Sequence, residues 1–92
     1  MIWCIYCEDR PDGQDLRAET RPAHLGYLSG FDIEAGGPLV GDDGAMVGSC
    51  IFLEAPDRAA AEEFAANDPY AKAGLFERVT ITGFKKVVWP GQ

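Results

Sequence analysis

The sequence is poor in positive charge, in histidine and in cysteines that could pair. Of its 92 residues only 8 are Lys or Arg, against 15 Asp or Glu, which leaves a net charge of -7. A surface that acidic repels phosphate backbones, and no basic cluster exceeds Lys85-Lys86, so nucleic acid is not expected as a partner. No apolar run approaches the length of a membrane span, so no membrane is expected either. The opening stretch Ile2 to Cys7 is too short for a secretory core and has no basic leader, so no targeting segment is read there. The 3 cysteines are an odd number, which argues against a disulfide framework and for free thiols in a reducing cytoplasm. There is a single histidine, His24.

What is there suits a globular chain: 47% of the residues are hydrophobic and 25% charged, proportions that exclude disorder. The length points to one domain over residues 1–92 with room for one core. No internal repeat is visible.

Ile2 to Cys7 reads as a strand, bounded by the polar loop from Glu8 to Gly13. Ile2, Cys4 and Tyr6 lie on one face and Trp3, Ile5 and Cys7 on the other. Bulk on both faces places this strand in the middle of a sheet. From Asp15 to Gly30 the spacing turns helical, with Arg17, Arg21, His24 or Leu25, and Leu28 along one side. Pro22 interrupts that pattern, because it removes a helical hydrogen bond and crowds the preceding turn. The helix is therefore expected either to kink there or to begin near Pro22 after an irregular segment. Phe31 to Val40 and Met46 to Glu54 read as a hairpin around the turn Gly41 to Gly44. A second helix starts at Asp57 as N-cap and ends near Asn67, since Asp68 precedes Pro69. Ala71 to Leu75 is a connector. A last strand spans Phe76 to Val88 with a bend or bulge at Gly83, and Pro90 to Gln92 is a frayed tail.

The order βαββαβ is that of the α+β ferredoxin-like fold, an antiparallel sheet with both helices on one face and the first and third strands at its centre. The open face would carry apolar side chains of those two strands. Homodimerisation through the open sheet faces is therefore expected.

Several residues invite chemistry. Cys4 and Cys7 have C-x-x-C spacing but lie in a strand, where residues three apart point to opposite faces. They read as buried cysteines and not as a dithiol or metal pair. Cys50 and His24 lack ligand spacing for zinc, and no metal site is expected. Gly36-Gly37-Pro38 lacks the context of a phosphate loop and reads as a bend that can wall a pocket. Arg21 is either an anion-binding guanidinium or a surface charge. Ser49 is either a pocket hydroxyl or a satisfied core group, and Tyr70 carries the same alternatives. Asp68 reads first as the cap of the turn it makes with Pro69.

His24 and Asp68 gain meaning as a pair. Each belongs to one of the two helical segments, which pack side by side. A carboxylate bonded to one ring nitrogen fixes the tautomer of an imidazole and readies the other nitrogen as a general base. Spacing alone does not bring the two together.

These residues resemble a known family, the YciI-like or YCII-related domain family, over nearly the whole chain. The likeness lies in the opening strand, Arg21-Pro22-Ala23-His24-Leu25, Gly36-Gly37-Pro38-Leu39, the strand ending at Glu54-Ala55-Pro56, Asn67-Asp68-Pro69-Tyr70 and Ala73-Gly74-Leu75. The longer loop from Glu8 to Gln14, and Trp3 beside two cysteines, depart from the plainer members. The resemblance implies a ferredoxin-like fold of the dimeric α/β-barrel type, with muconolactone isomerase and a chlorohydroxyquinol dehydrochlorinase among its relatives. It also implies a histidine–aspartate active site, which maps onto His24 and Asp68.

The expectation is a small cytoplasmic homodimeric enzyme without metal or organic cofactor, of isomerase or lyase type. His24 and Asp68 would be catalytic, and Arg21, Gly37, Pro38, Ser49 and Tyr70 would bind a small cyclic or aromatic carbonyl or phenolic compound. The alternative is a non-catalytic small-molecule-binding or accessory dimer.

Overall fold

A computed structural model describes residues 1–90. Four strands, two longer helices and one short helix follow in the order β1 (Ile2–Asp9), α1 (Gln14–Leu28), β2 (Ile33–Val40), β3 (Met46–Glu54), α2 (Arg58–Asn67), α3 (Pro69–Lys72) and β4 (Phe76–Phe84). The sheet is antiparallel in the order β2-β3-β1-β4. β1 and β3 are its central strands, as the two-sided apolar pattern of β1 requires.

The alternation along the central strands builds the core. Trp3, Ile5 and Cys7 of β1 join Ile51 and Leu53 of β3 on the helix-covered face, and Ala61, Phe64 and Ala65 of α2 pack onto them. Small alanines on α2 let its backbone approach the sheet closely. Asp57 caps that helix, its Oδ1 accepting from the backbone N–H of Ala60 at 2.8 Å. The Tyr27 hydroxyl donates to the Phe64 carbonyl at 2.9 Å, tying α1 to α2. Gly48 is demanded by close approach, since a Cβ there would sit 2.3 Å from the carbonyl oxygen of Cys7 on β1.

One alternative left open by the sequence is decided and three expectations are corrected. α1 is one continuous helix through Pro22. It does not restart there, because Pro22 lies on the exposed side where its ring meets solvent. β2 starts at Ile33 and not at Phe31, because the N–H of Phe31 still bonds the carbonyl of Leu28 at 3.1 Å and its ring packs on Tyr27 and Phe64. The connector after Asp68 contains a helical turn, α3, with Pro69 at its start. β4 stops at Phe84 and stays in register through Gly83, which faces Trp3; the irregularity lies instead on β1 between Glu8 and Asp9. Beyond Phe84 the chain turns onto the open face, where the Trp89 ring packs 5.3 Å from Phe52 and 5.6 Å from Phe84, and Lys86 reaches Glu34. The expected frayed tail falls partly on Gly91 and Gln92, outside the described residues. No helix among the described residues is long and apolar enough to cross a membrane.

Candidate functional site

The site forms where the inner side of α1 meets the end of α2 and the middle of β3. Helical spacing puts Arg17, Arg21 and His24 on one stripe of α1. Two of them turn inward: Arg17 and His24 are buried, while Arg21 stays exposed at the rim.

Asp68 stands between α2 and α3 because Pro69 ends one helix and begins the next. Its Oδ1 accepts from the Tyr70 backbone N–H at 2.9 Å and lies 2.8 Å from His24 Nδ1. The capping role and the pairing role are thus served by the same oxygen. With the carboxylate ionised, Nδ1 carries the proton and donates, which leaves Nε2 with its lone pair free. No fully buried side-chain nitrogen or oxygen among the described residues lacks a partner. The unpaired Nε2 is therefore reached through the cavity that His24 lines. On its flat side the imidazole stacks on Tyr70, with ring centroids 4.1 Å apart and an interplanar angle of 21°.

Arg17 organises the other half. Its Nε and Nη2 donate to the two carboxylate oxygens of Asp9 at 2.7 and 2.8 Å, and Nη2 also donates to Ser49 Oγ at 2.9 Å. The guanidinium lies 4.5 Å from the centre of the Tyr70 ring, on which it makes a cation–π contact. Burial works against the charge on Arg17, but the hydrogen bond and the charge of Asp9 outweigh it and raise its pKa further. Arg17 is a fixed cation. Tyr70 is itself pushed up by burial, which exceeds the downward pull of Arg17 and Arg21, so its hydroxyl keeps its proton at neutral pH. Behind these groups the Cys7 thiol is pushed up to about 12, by burial first and then by Asp68 and Asp9.

The cavity between these elements measures about 80 Å³ and is lined by Arg17, Arg21, His24, Leu25, Leu28, Gly36, Gly37, Pro38, Met46, Ser49, Ile51 and Tyr70. Six of the residues singled out in the sequence thus border one space, and Asp68 reaches it through His24. Of the alternatives left open for Ser49, both hold: the hydroxyl faces the cavity and is bonded. It is held by a guanidinium and not by a base, which is not how a serine nucleophile is activated. Arg21 makes no ion pair within the described residues. Cys4 and Cys7 fall on opposite faces of the sheet, and Cys4 instead meets Cys50, with the sulfurs 3.8 Å apart. Cys50 shares that open face, away from His24. The sequence reading missed Arg17 and Asp9 as site residues. The signal for Arg17 was present, since an arginine two turns before His24 on an inward stripe needs a buried partner. Nothing in the spacing named Asp9 as that partner.

An imidazole with one nitrogen anchored and the other open to a cavity can take up and return a proton. Arg21 at the cavity rim, with no ion pair among the described residues, favours an anionic occupant. The family model of the YCII-related domain matches residues 1–85. The chain belongs to the YCII-related domain family. Its relatives include the protein YciI of Escherichia coli, 36% identical over 97 aligned residues that cover 95% of this chain and 99% of the relative. Among solved structures, it is similar to the 5-chloro-2-hydroxyhydroquinone dehydrochlorinase TftG of Burkholderia phenoliruptrix, in complex with 2,5-dihydroxybenzoquinone. The TM-score there is 0.87 and the identity 37%, over 92% of this chain and 94% of the other. Rv0793 of Mycobacterium tuberculosis superposes with a TM-score of 0.53 at 18% identity over 98% and 97% of the two chains, a likeness of fold alone. The fold is that of the ferredoxin-like, dimeric α/β-barrel type.

Proposed function

We propose that this protein is a small enzyme that performs general acid/base chemistry on a small cyclic or aromatic carbonyl or phenolic compound, of the isomerase or lyase type. The observation that carries this reading is the 2.8 Å contact of His24 Nδ1 with Asp68 inside a cavity wall. In this reading Nε2 removes a proton from a ring carbon or hydroxyl. The electron pair left behind then forms a new double bond, and either an anionic group leaves with its own pair or the proton returns at another carbon. Arg21 steadies the enolate or phenolate so formed, and Pro38, Gly37, Ser49 and Tyr70 position the ring. Neither step needs an electron acceptor, so the reading invokes no cofactor. The likeness to a dehydrochlorinase of a chlorinated hydroxyhydroquinone supports both the substrate class and the elimination.

The protein is further proposed to act as a homodimer, paired through the open sheet faces, in a reducing cytoplasm that keeps Cys4, Cys7 and Cys50 free. The test is turnover of 5-chloro-2-hydroxyhydroquinone and of related ring lactones by the wild type, His24→Ala and Asp68→Asn. Loss of the base is expected to lower kcat by about two to four orders of magnitude, with a smaller loss for Asp68→Asn. Equal rates in all three proteins would overturn the assignment.

A further inference from the structure

The chamber beside His24 does not end at its own wall. Arg17, Arg21 and Met46 also border a second, larger space of about 310 Å³, whose remaining lining is Gln14, Ala18 and Ala45. The two spaces share three lining residues and so lie side by side, a narrow inner part next to a wider outer part.

Their chemistry differs. The inner part, at about 80 Å³, has the histidine, the serine hydroxyl and a tyrosine ring; it is smaller than the apolar cavity of about 150 Å³ that takes up one benzene ring, so a ring seated beside His24 extends toward the adjoining space. The outer part exists because two of its residues are alanines, and its floor is the flexible Met46 side chain, 38% exposed to solvent. A polarisable thioether beside two methyl groups suits an apolar occupant. No carboxylate lines the outer part, and its polar groups are the Gln14 amide and the two arginines. At the junction stands Arg21, whose charge no carboxylate answers. Arg17, one turn away, has its charge committed to Asp9. Of the two arginines that border both parts, the one with no ion pair among the described residues thus lies where the inner ring would meet whatever extends from it.

We propose that the site takes an anionic ring carrying an apolar substituent, with the ring beside His24, the anionic oxygen toward Arg21 and the substituent over Ala18, Ala45 and Met46. This rests on the reading of the inner chamber as the substrate site. A bare ring fills only part of the available surface, and Ala18 and Ala45 act as specificity determinants for the substituent.

The test is calorimetric titration of the full chain with two probes, 2,5-dihydroxybenzoquinone and its 3-hexyl derivative. Burial of two or three methylenes is worth at least about tenfold in affinity, so the hexyl compound is expected to bind wild type at least tenfold more tightly. Ala18→Phe fills the outer part and is expected to abolish that gain, read as the ratio of the two affinities within the same variant; Ala18→Ser keeps the space and is expected to keep the ratio. If the unsubstituted ring binds and the hexyl compound binds no better, or the gain survives Ala18→Phe, this proposal is overturned and the acid/base reading stands. If neither probe binds wild type, the reading of the inner chamber fails, and this proposal with it.

Discussion

Cys7 shows how one side chain can report on the whole site. It is buried near Asp68 and Asp9, and burial with those charges pushes its thiol up to about 12 from an ordinary value of 9.0. Between those two values the folded chain keeps a proton that the unfolded chain has lost. Stability therefore falls as pH rises through that window, by up to about 1.4 kcal/mol per pH unit for one group. Below pH 9 the thiol is protonated in both states and contributes nothing to the slope. Cys50, raised to about 11 by burial and by its contact with Cys4, adds a narrower window of the same sign. Urea denaturation at intervals from pH 8 to pH 10.5 is expected to show the decline, and Cys7→Ala is expected to make it shallower. An unchanged slope in that variant would mean that Cys7 titrates normally in the fold. His24 is the counterpart: its partner Asp68 is held by the Tyr70 N–H as well, so the pair is anchored by backbone and not only by two mobile side chains.

At the scale of elements, the clamp between Asp9 and Arg17 joins the end of β1 to the second turn of α1. Both side chains are 5% exposed, so neither charge is screened by water. Removing one partner of such a buried pair costs about 3–5 kcal/mol, because the other charge is left without an answer. Asp9→Ala is expected to lower the unfolding free energy measured by urea denaturation by an amount in that range at neutral pH. A loss below about 1 kcal/mol would show that water replaces the carboxylate and that the clamp is weak. The same clamp ties α1 to the end of β1 two turns before His24, on the same helical face. Pro22 sits on the outward side of that helix, where its cost is one missing donor and not a clash with the core. The continuous helix carries both Arg17 and His24 to the ring of Tyr70.

For the whole molecule, the proposed pairing depends on the uncovered sheet face. The turn of the C-terminal segment brings Trp89 over Phe52 and Phe84, so one end of the open face is already closed by the chain's own residues. The other end keeps Tyr6 at 42% exposure beside the partly buried Cys4 and Cys50. A second copy of the chain covering that end is expected to sediment as a dimer at micromolar concentration. Tyr6→Glu puts a charge into the contact and is expected to shift the distribution to monomer. Two protomers of charge -7 repel, so dimerisation should strengthen as salt is added. A wild-type protein that remains monomeric at all salt concentrations would remove the open face as the interface.

Local rules carried some of this structure unaided. The two-sided apolar pattern of Ile2 to Cys7 demanded a central strand, Asp57 and Pro69 bounded α2, and the spacing of Arg17, Arg21 and His24 set one face of α1. Each of these depends on backbone sterics or on periodicity, which act within a few residues. The stretch from Phe76 to Val88 misled for the same reason: β-branched residues favour a strand wherever they stand, whereas after Phe84 the chain leaves the strand and Trp89 packs on Phe52 and Phe84. What periodicity could not supply is which inward groups meet. Asp9 and Arg17 are 8 positions apart, His24 and Asp68 are 44 apart, and both pairs form because the sheet order and helix packing close those distances. Residue types and faces were determined along the chain. The partners were decided by the fold, since a buried charge takes whichever opposite charge the packing brings within reach.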